Sequence, residues 1–341
     1  MTNSSQFKKR CQKIRKSVLE IVRYGKRGHI ASAFSMVEVL VTLYDFILRV
    51  DPENPAWLDR DRFILSKGHG CLALYAILSD KGFFASEAWK GFCAFDGILG
   101  GHPTMEKVPG VEASTGSLGH GLPIGVGFAL AAKMDKKKYR TFVLLGDGEC
   151  NEGSVWEAAM GASKNRLDNL VILVDYNKQQ AFGSTYEVCD LEPFADKWRS
   201  FGFETREVDM VKDPLNLKAL LPNLPLAGKK PTAIICHTIK GMGVPFMEGN
   251  MDWHHKSKIT NEEIDEVLSA LEELLGLLRE EIPTFSPRYL GHMVSDVSIP
   301  ALLGHMAMLF ENANLASREA AVVGSALETE AINLLANMVG L

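Results

Sequence analysis

The chain has 341 residues, 46% of them hydrophobic and 23% charged, with a net charge of −5, a length and composition that suit one large α/β domain or two smaller ones. The negative balance excludes nucleic acid as the main partner. No run approaches the roughly 18 apolar residues of a membrane span, and the polar, basic stretch from Met1 to Arg15 lacks the apolar centre of a signal peptide. The six cysteines show no CxxC spacing and no paired framework, so they read as free thiols of a reducing compartment and a cytoplasmic location is expected.

Residues 12–23 place Ile14, Val18, Leu19 and Val22 at helical spacing. A basic, glycine-broken turn, Gly25-Lys26-Arg27-Gly28-His29-Ile30, leads to an apolar helix over 36–48 and a proline-rich loop at 51–55. Arg62-Phe63-Ile64-Leu65-Ser66 predicts a short strand that runs through Lys67-Gly68-His69-Gly70 into a helix over 71–78. Strand, glycine turn and helix together offer backbone N–H groups to an anion. After Gly100-Gly101-His102-Pro103 comes a glycine-rich passage, 112–122, and a helix of small residues to about Lys133. Buried strands are predicted at 141–145, 170–174 and 232–236, with a helix over 154–165 and a polar loop over 177–185. An amphipathic helix over 261–279 ends before Pro283 and Pro287. Strands alternating with helices predict an α/β fold, a mostly parallel sheet covered by helices on both faces.

The chemistry concentrates at Gly146-Asp147-Gly148-Glu149, an acidic turn at the end of a buried strand, where open α/β sheets bind ligands. Asn177 follows the next strand, 30 positions on. One strand-helix-strand unit spans that gap and brings a carboxylate and an amide oxygen to the same rim. Such hard oxygens suit Mg²⁺ or Ca²⁺ carried with a diphosphate. Asp147 could equally cap a helix, with Glu149 and Glu152 as favourable first-turn acids. Four histidines, His29, His69, His102 and His120, sit in glycine-flanked loops. They can donate to phosphate oxygens and shuttle protons, and they are not spaced as zinc ligands. His237 and Lys240 could add positive charge over a diphosphate or be solvated strand-end residues.

These passages, taken in order, resemble the transketolase family of thiamine-diphosphate enzymes over roughly residues 10–280. The likeness rests on Arg27-Gly28-His29, Leu65 to Gly70, Gly101-His102-Pro103, Ser114 to Gly119, Gly146 to Glu149 through Asn177, and His237 to Gly241. It looks closest to the diphosphate-binding half of a transketolase encoded in two pieces, and implies a thiamine-diphosphate-binding fold over 1–282. By the same resemblance, Asp147, the Asn177 side chain and the backbone carbonyl of Gln179 would hold Mg²⁺ (or Ca²⁺). Gly148, Glu149, His69 and Lys240 would serve the diphosphate, and Gly116, Ser117 and Leu118 the aminopyrimidine. His29 and His102 would face the substrate and act catalytically, as would His254, with His255 beside it where the family usually has glycine. Glu152 would stand at a subunit interface. The sequence departs from the family at Arg27 and Ile30, where a serine and a proline are usual, and at Tyr176, where an acid or asparagine usually precedes the metal-binding Asn.

In this family the glutamate that serves the aminopyrimidine belongs to a second, pyrimidine-binding domain. A partner subunit is therefore expected to supply it in an α₂β₂-type assembly acting on sugars or sugar phosphates. The implied reaction is transfer of a two-carbon ketol unit. The alternatives are a carboligase of a specialised pathway and a non-catalytic scaffold subunit. Residues 283–341 resemble instead the early region of pyridoxal-phosphate-dependent decarboxylases, as a helical tail without a lysine after Lys258.

Overall fold

The computed structural model describes residues 4–226, 228–254 and 258–280. The chain divides into two units, Met1–Leu278 and Arg279–Leu341, and the first carries the sheet. Expectations for the 283–341 tail, like that for His255, fall outside the described residues.

Helix α1, Ser4–Gly25, buries Phe7, Cys11, Ile14, Val18 and Val22, the three-to-four spacing that puts apolar side chains on one face. The buried Arg15 on the same helix makes a bidentate pair with Glu38, 2.8 Å to each oxygen, and donates to the carbonyl of Met242 at 2.7 Å. A break at Ser35-Met36 separates α2 (Ile30–Phe34) from α3 (Val37–Thr42), the latter continued by a π-helical turn over Leu43–Ile47. The stretch Ile30–Ile47 is 18 residues long with mean hydropathy 1.6, so by length and composition it passes as a membrane span, contrary to the reading of the sequence. Its residues are 89% buried inside the protein, and their apolarity reflects burial between α1 and the sheet.

Strand β1, Arg62–Leu65, leads to α4, Cys71–Lys81, which stops at Gly82 in the left-handed conformation. Then follow α5 (Gly121–Met134), β2 (Thr141–Gly146), α6 (Gly153–Lys164) and β3 (Leu170–Tyr176). The segment read as a polar loop after β3 is a hairpin, β4 (Gln179–Gln180) with β5 (Gly183–Ser184), continued by α7 (Thr185–Cys189). Ser184 and Glu187 form a reciprocal capping box at the start of α7. α8 (Phe194–Ser200), β6 (Glu204–Asp209), α9 (Leu215–Leu220), β7 (Thr232–His237) and α10 (Asn261–Glu280) complete the unit.

Five strands pair in parallel in the order β1-β2-β3-β7-β6. Their side chains alternate between two cores. Phe142, Leu144, Val171, Leu173 and Ile234 join α1 to α4, α9 and α10 on one face. Val143, Leu145, Ile172, Val174 and Ile235 join α5, α6 and α8 on the other. Both faces being covered explains why β2, β3 and β7 read as unbroken apolar runs. β6 escaped the sequence reading because it is an edge strand, Glu-Thr-Arg-Glu-Val-Asp, with two adjacent exposed positions and too few apolar residues to show a period.

Candidate active site

The C-terminal ends of β1, β2, β3 and β7 converge on one cavity of about 480 Å³. β2 and β3 are adjacent and in register, so Asp147 and Asn177 do emerge side by side. Asp147 is 2% exposed; one carboxylate oxygen accepts the N–H of Gly148 at 2.8 Å, the other that of Lys178 at 2.5 Å. Asp147 thus caps the short 3-10 turn Gly148–Asn151 and stands in the cavity at once. Burial, then the nearby Asp175, push its carboxyl up to about 7 against the favourable backbone hydrogen bonds. The Asn177 amide oxygen accepts the N–H of Gln179 at 3.1 Å. Gln179 donates through Nε2 to the carbonyl of Gly249 at 2.7 Å, while its side-chain oxygen is buried without a partner.

Behind the rim lies a buried pair that sequence reasoning left without a role. Lys67, 1% exposed, follows β1; Asp175, 0% exposed, closes β3. The lysine stem passes over Gly146 at the end of the intervening β2, at ordinary contact distance of 3.7 Å from where a Cβ would stand, and its ammonium pairs with Asp175. Ser35 donates to the same carboxylate at 2.6 Å, Asn177 at 3.3 Å, and Thr238 as well. Two opposite charges that each terminate an apolar strand were the available signal.

Lys240, after β7, is 3% exposed, and among the described residues no carboxylate lies within 4 Å of it; its Nζ stands 3.4 Å from His254 Nε2. Burial, then Lys67, hold its ammonium down to about 8, opposed by Asp147 and Asp175. His29, His69, His102 and His254 all line the cavity. The His29 and His69 rings meet edge to face with centroids 5.5 Å apart. Burial, then the charges of Lys67 and Lys240, push His69 well below the usual imidazole range, so at neutral pH it is a neutral donor and acceptor.

The other expected site residues divide. Gly116, Leu118, Gly148 and Glu152 line the cavity. Ser117 is exposed and does not line it. Glu149 reaches it, yet its oxygens are taken by Ser66 Oγ at 2.5 Å, Gly119 N–H at 2.9 Å and Gly146 N–H at 3.0 Å, so it braces three loops. The N–H groups of Gly68 and Gly70 turn back to Ser66 and Lys67 carbonyls; the turn presents the His69 ring instead of an anion nest. His120 is exposed and bonds the carbonyl of Leu118 at 3.0 Å, outside the cavity.

The donor set fits a metal diphosphate. Among the described residues no cluster of three His, Cys, Asp or Glu could hold a bare cation; Asp147, Asn177 and Gln179 offer too few oxygens without those of a bound diphosphate. A buried lysine with no carboxylate in direct contact, only partly offset by the more distant Asp147 and Asp175, suits an anion.

A parallel sheet with this rim defines a thiamine-diphosphate-binding fold, and the comparisons agree. Residues 7–276 match the family described as transketolase, thiamine diphosphate binding domain. The chain belongs to the transketolase family and is a transketolase-type transferase subunit. It is 45% identical over 272 residues to an apulose-4-phosphate transketolase subunit of Phocaeicola vulgatus, covering 79% of this chain and 95% of that one. It is 40% identical over 260 residues to the 6-deoxy-6-sulfo-D-fructose transketolase subunit SqwG of a Clostridium species, covering 76% of this chain and 94% of that one. Among solved structures, transketolase from Leishmania mexicana superposes with a TM-score of 0.72 at 30% identity, over 78% of this chain but 41% of that one. The chain thus spans less than half the length of such a solved transketolase. The family match ends at residue 276.

Gly116 sits at φ +141°, and a Cβ there would stand 2.9 Å from His102 Cγ. Gly116→Ala is expected to push the His102 ring out of place and lower kcat of the assembled enzyme about 100-fold, the usual cost of misplacing a reacting group by about 1 Å. Steady-state kinetics beside thermal melting check this: kcat should fall far more than stability.

Proposed function

We propose that this chain is the diphosphate-binding subunit of a two-subunit transketolase that moves a two-carbon ketol unit from a ketose or ketose phosphate to an aldose or aldose phosphate. The observation that carries the reading is the pairing, in one cavity, of a buried lysine without a carboxylate and a buried acid-amide rim: one asks for an anion, the other for a cation. Thiamine diphosphate with Mg²⁺ (or Ca²⁺) meets both. When bound, this cofactor supplies the nucleophilic carbon that accepts the ketol unit and passes it on. Asp147, Asn177 and the Gln179 carbonyl would hold the metal, and Lys240 and His69 the diphosphate oxygens. His29, His102 and His254 would exchange protons with substrate hydroxyls. The names of these two relatives, each that of a transketolase subunit, and their lengths support a separate pyrimidine-binding partner in an α₂β₂-type assembly, and favour ketol transfer over carboligation or a scaffold role. A cytoplasmic setting belongs to the same reading and rests on cysteine usage.

Calorimetric titration of the chain with its partner subunit by thiamine diphosphate and Mg²⁺ is the test. Saturable binding is expected, strongest between the Asp147 value of about 7 and the Lys240 value of about 8. As pH falls through 7 the carboxylate takes up a proton, and as pH rises through 8 the ammonium loses one, so affinity should fall on either side. Absence of binding between pH 7 and 8 would sink the proposal.

A further inference from the structure

The segment 177–191 forms one wall of the cavity. Near its start it is well tied, through the Lys178 N–H to Asp147 and the Gln179 side chain to Gly249. The β4–β5 pairing and the buried Thr185, whose N–H donates to the Lys178 carbonyl at 3.1 Å, hold its middle. The hairpin tip and α7 stand further out, Phe182 91% exposed and Tyr186 76% exposed, yet Phe182, Val188 and Cys189 line the cavity. The chain comes back to the body of the protein at Leu191, which is buried, and at Glu192.

Glu192 meets Tyr176, the residue immediately before Asn177. The Tyr176 hydroxyl donates to Glu192 Oε1 at 2.6 Å, and Glu192 Oε2 accepts the N–H of Phe194 at 2.8 Å. Tyr176 itself is fixed. It is 4% exposed, with its ring against Phe194 and His237, centroids 5.3 Å from each. The two ends of the wall are therefore joined side chain to side chain, one end being the rigid tip of β3 that also sets Asn177.

We propose that the Tyr176–Glu192 hydrogen bond is a clasp that closes the 177–191 wall and so sets the affinity of the site for metal diphosphate, making both positioning residues for the cofactor. The assignment rests on the cofactor reading above. A bond between a hydroxyl and a carboxylate, anchored on a locked ring, lowers the conformational freedom of the enclosed segment before the cofactor arrives. Without it the wall must be ordered by binding itself, at the cost of affinity and not of chemistry once the site is full.

The test is cofactor binding by calorimetry on the full chain with its partner subunit, using thiamine diphosphate and Mg²⁺. Tyr176→Phe deletes only the hydroxyl, Glu192→Ala the acceptor, and Glu192→Gln keeps an acceptor oxygen. Each of the first two is expected to raise Kd about fivefold. The double variant should be no weaker than either single one, E192Q should stay within about twofold, and kcat at saturating cofactor should be unchanged. Unchanged Kd with a lowered Tm, or single effects that multiply in the double variant, would overturn the clasp. If the unaltered protein binds no cofactor, the underlying reading fails instead.

Discussion

Asp147→Ala is expected to raise the Kd for thiamine diphosphate with Mg²⁺ by at least about 100-fold and to abolish turnover, while changing the stability of the cofactor-free fold little, because relief of a buried carboxylate offsets the loss of an acceptor for the Gly148 and Lys178 N–H groups. Asp147 is the one carboxylate among the proposed metal-binding residues, and loss of even an outer partner of a metal ligand costs about 10–100-fold. The relief follows from the sign of its shift. A carboxyl moved from 3.8 up to about 7 by burial and by Asp175 favours the protonated folded state. The cofactor-free protein therefore loses stability as pH rises from about 4 through about 7, and Ala removes that liability. On the proposed reading a bound cation would remove it too. Calorimetric binding and thermal melts at pH 8 check both halves: retained affinity, or a Tm that drops by several degrees, contradicts the assignment.

Lys67→Met is expected to cost about 3–5 kcal/mol, because it strands the fully buried Asp175 carboxylate without its counter-charge. Both side chains are at most 1% exposed, so no solvent screening softens the loss. Although burial pushes the Asp175 carboxyl up, Lys67 and the Ser35 and Thr238 hydroxyls outweigh it and the net direction is down. A carboxylate held below its ordinary value contributes stability above pH 3.8 and loses it as pH falls further. In Lys67→Met the same group should titrate higher, so acid unfolding should begin at higher pH. Adding Asp175→Asn should recover most of the loss, since an amide needs no counter-charge and Ser35, Thr238 and Asn177 still surround it. Urea denaturation of the single and double variants measures this, and a single-variant cost below about 1 kcal/mol would show that the pair is not what holds the β1 and β3 ends together.

Much of the fold was readable. β2, β3 and β7 announced themselves as apolar runs because both sheet faces are buried; α5, α6 and α10 were legible within a few residues. β6 and the β4–β5 hairpin were not: a polar edge strand gains its pairing from a neighbour distant in sequence, and strands of two residues are too short to show a period of their own. The site was legible where residue type and strand ends coincide. Asp147 and Asn177 are fixed by one strand-helix-strand connection, a local rule that the parallel β2–β3 register obeys. His29, His69 and His102 carried the pattern of glycine-flanked loops, but so did His120, which points away. Nothing local separates them, because the direction of a loop side chain depends on which strand end the loop is packed against.

The sequence by itself determined the α/β class, the acid-amide rim of Asp147 and Asn177 and the family likeness, because alternating apolar runs and short glycine-bounded motifs are local properties of the chain. Only the tertiary structure decided the rest. Lys67 crosses the end of β2 to reach Asp175, 108 positions away; Lys240 is buried without a carboxylate partner; Glu149 spends its oxygens on three loops; and Tyr176 meets Glu192. Each depends on strand order and on desolvation, and a charge shows whether it is paired, orphaned or solvated only once the chain has closed around it.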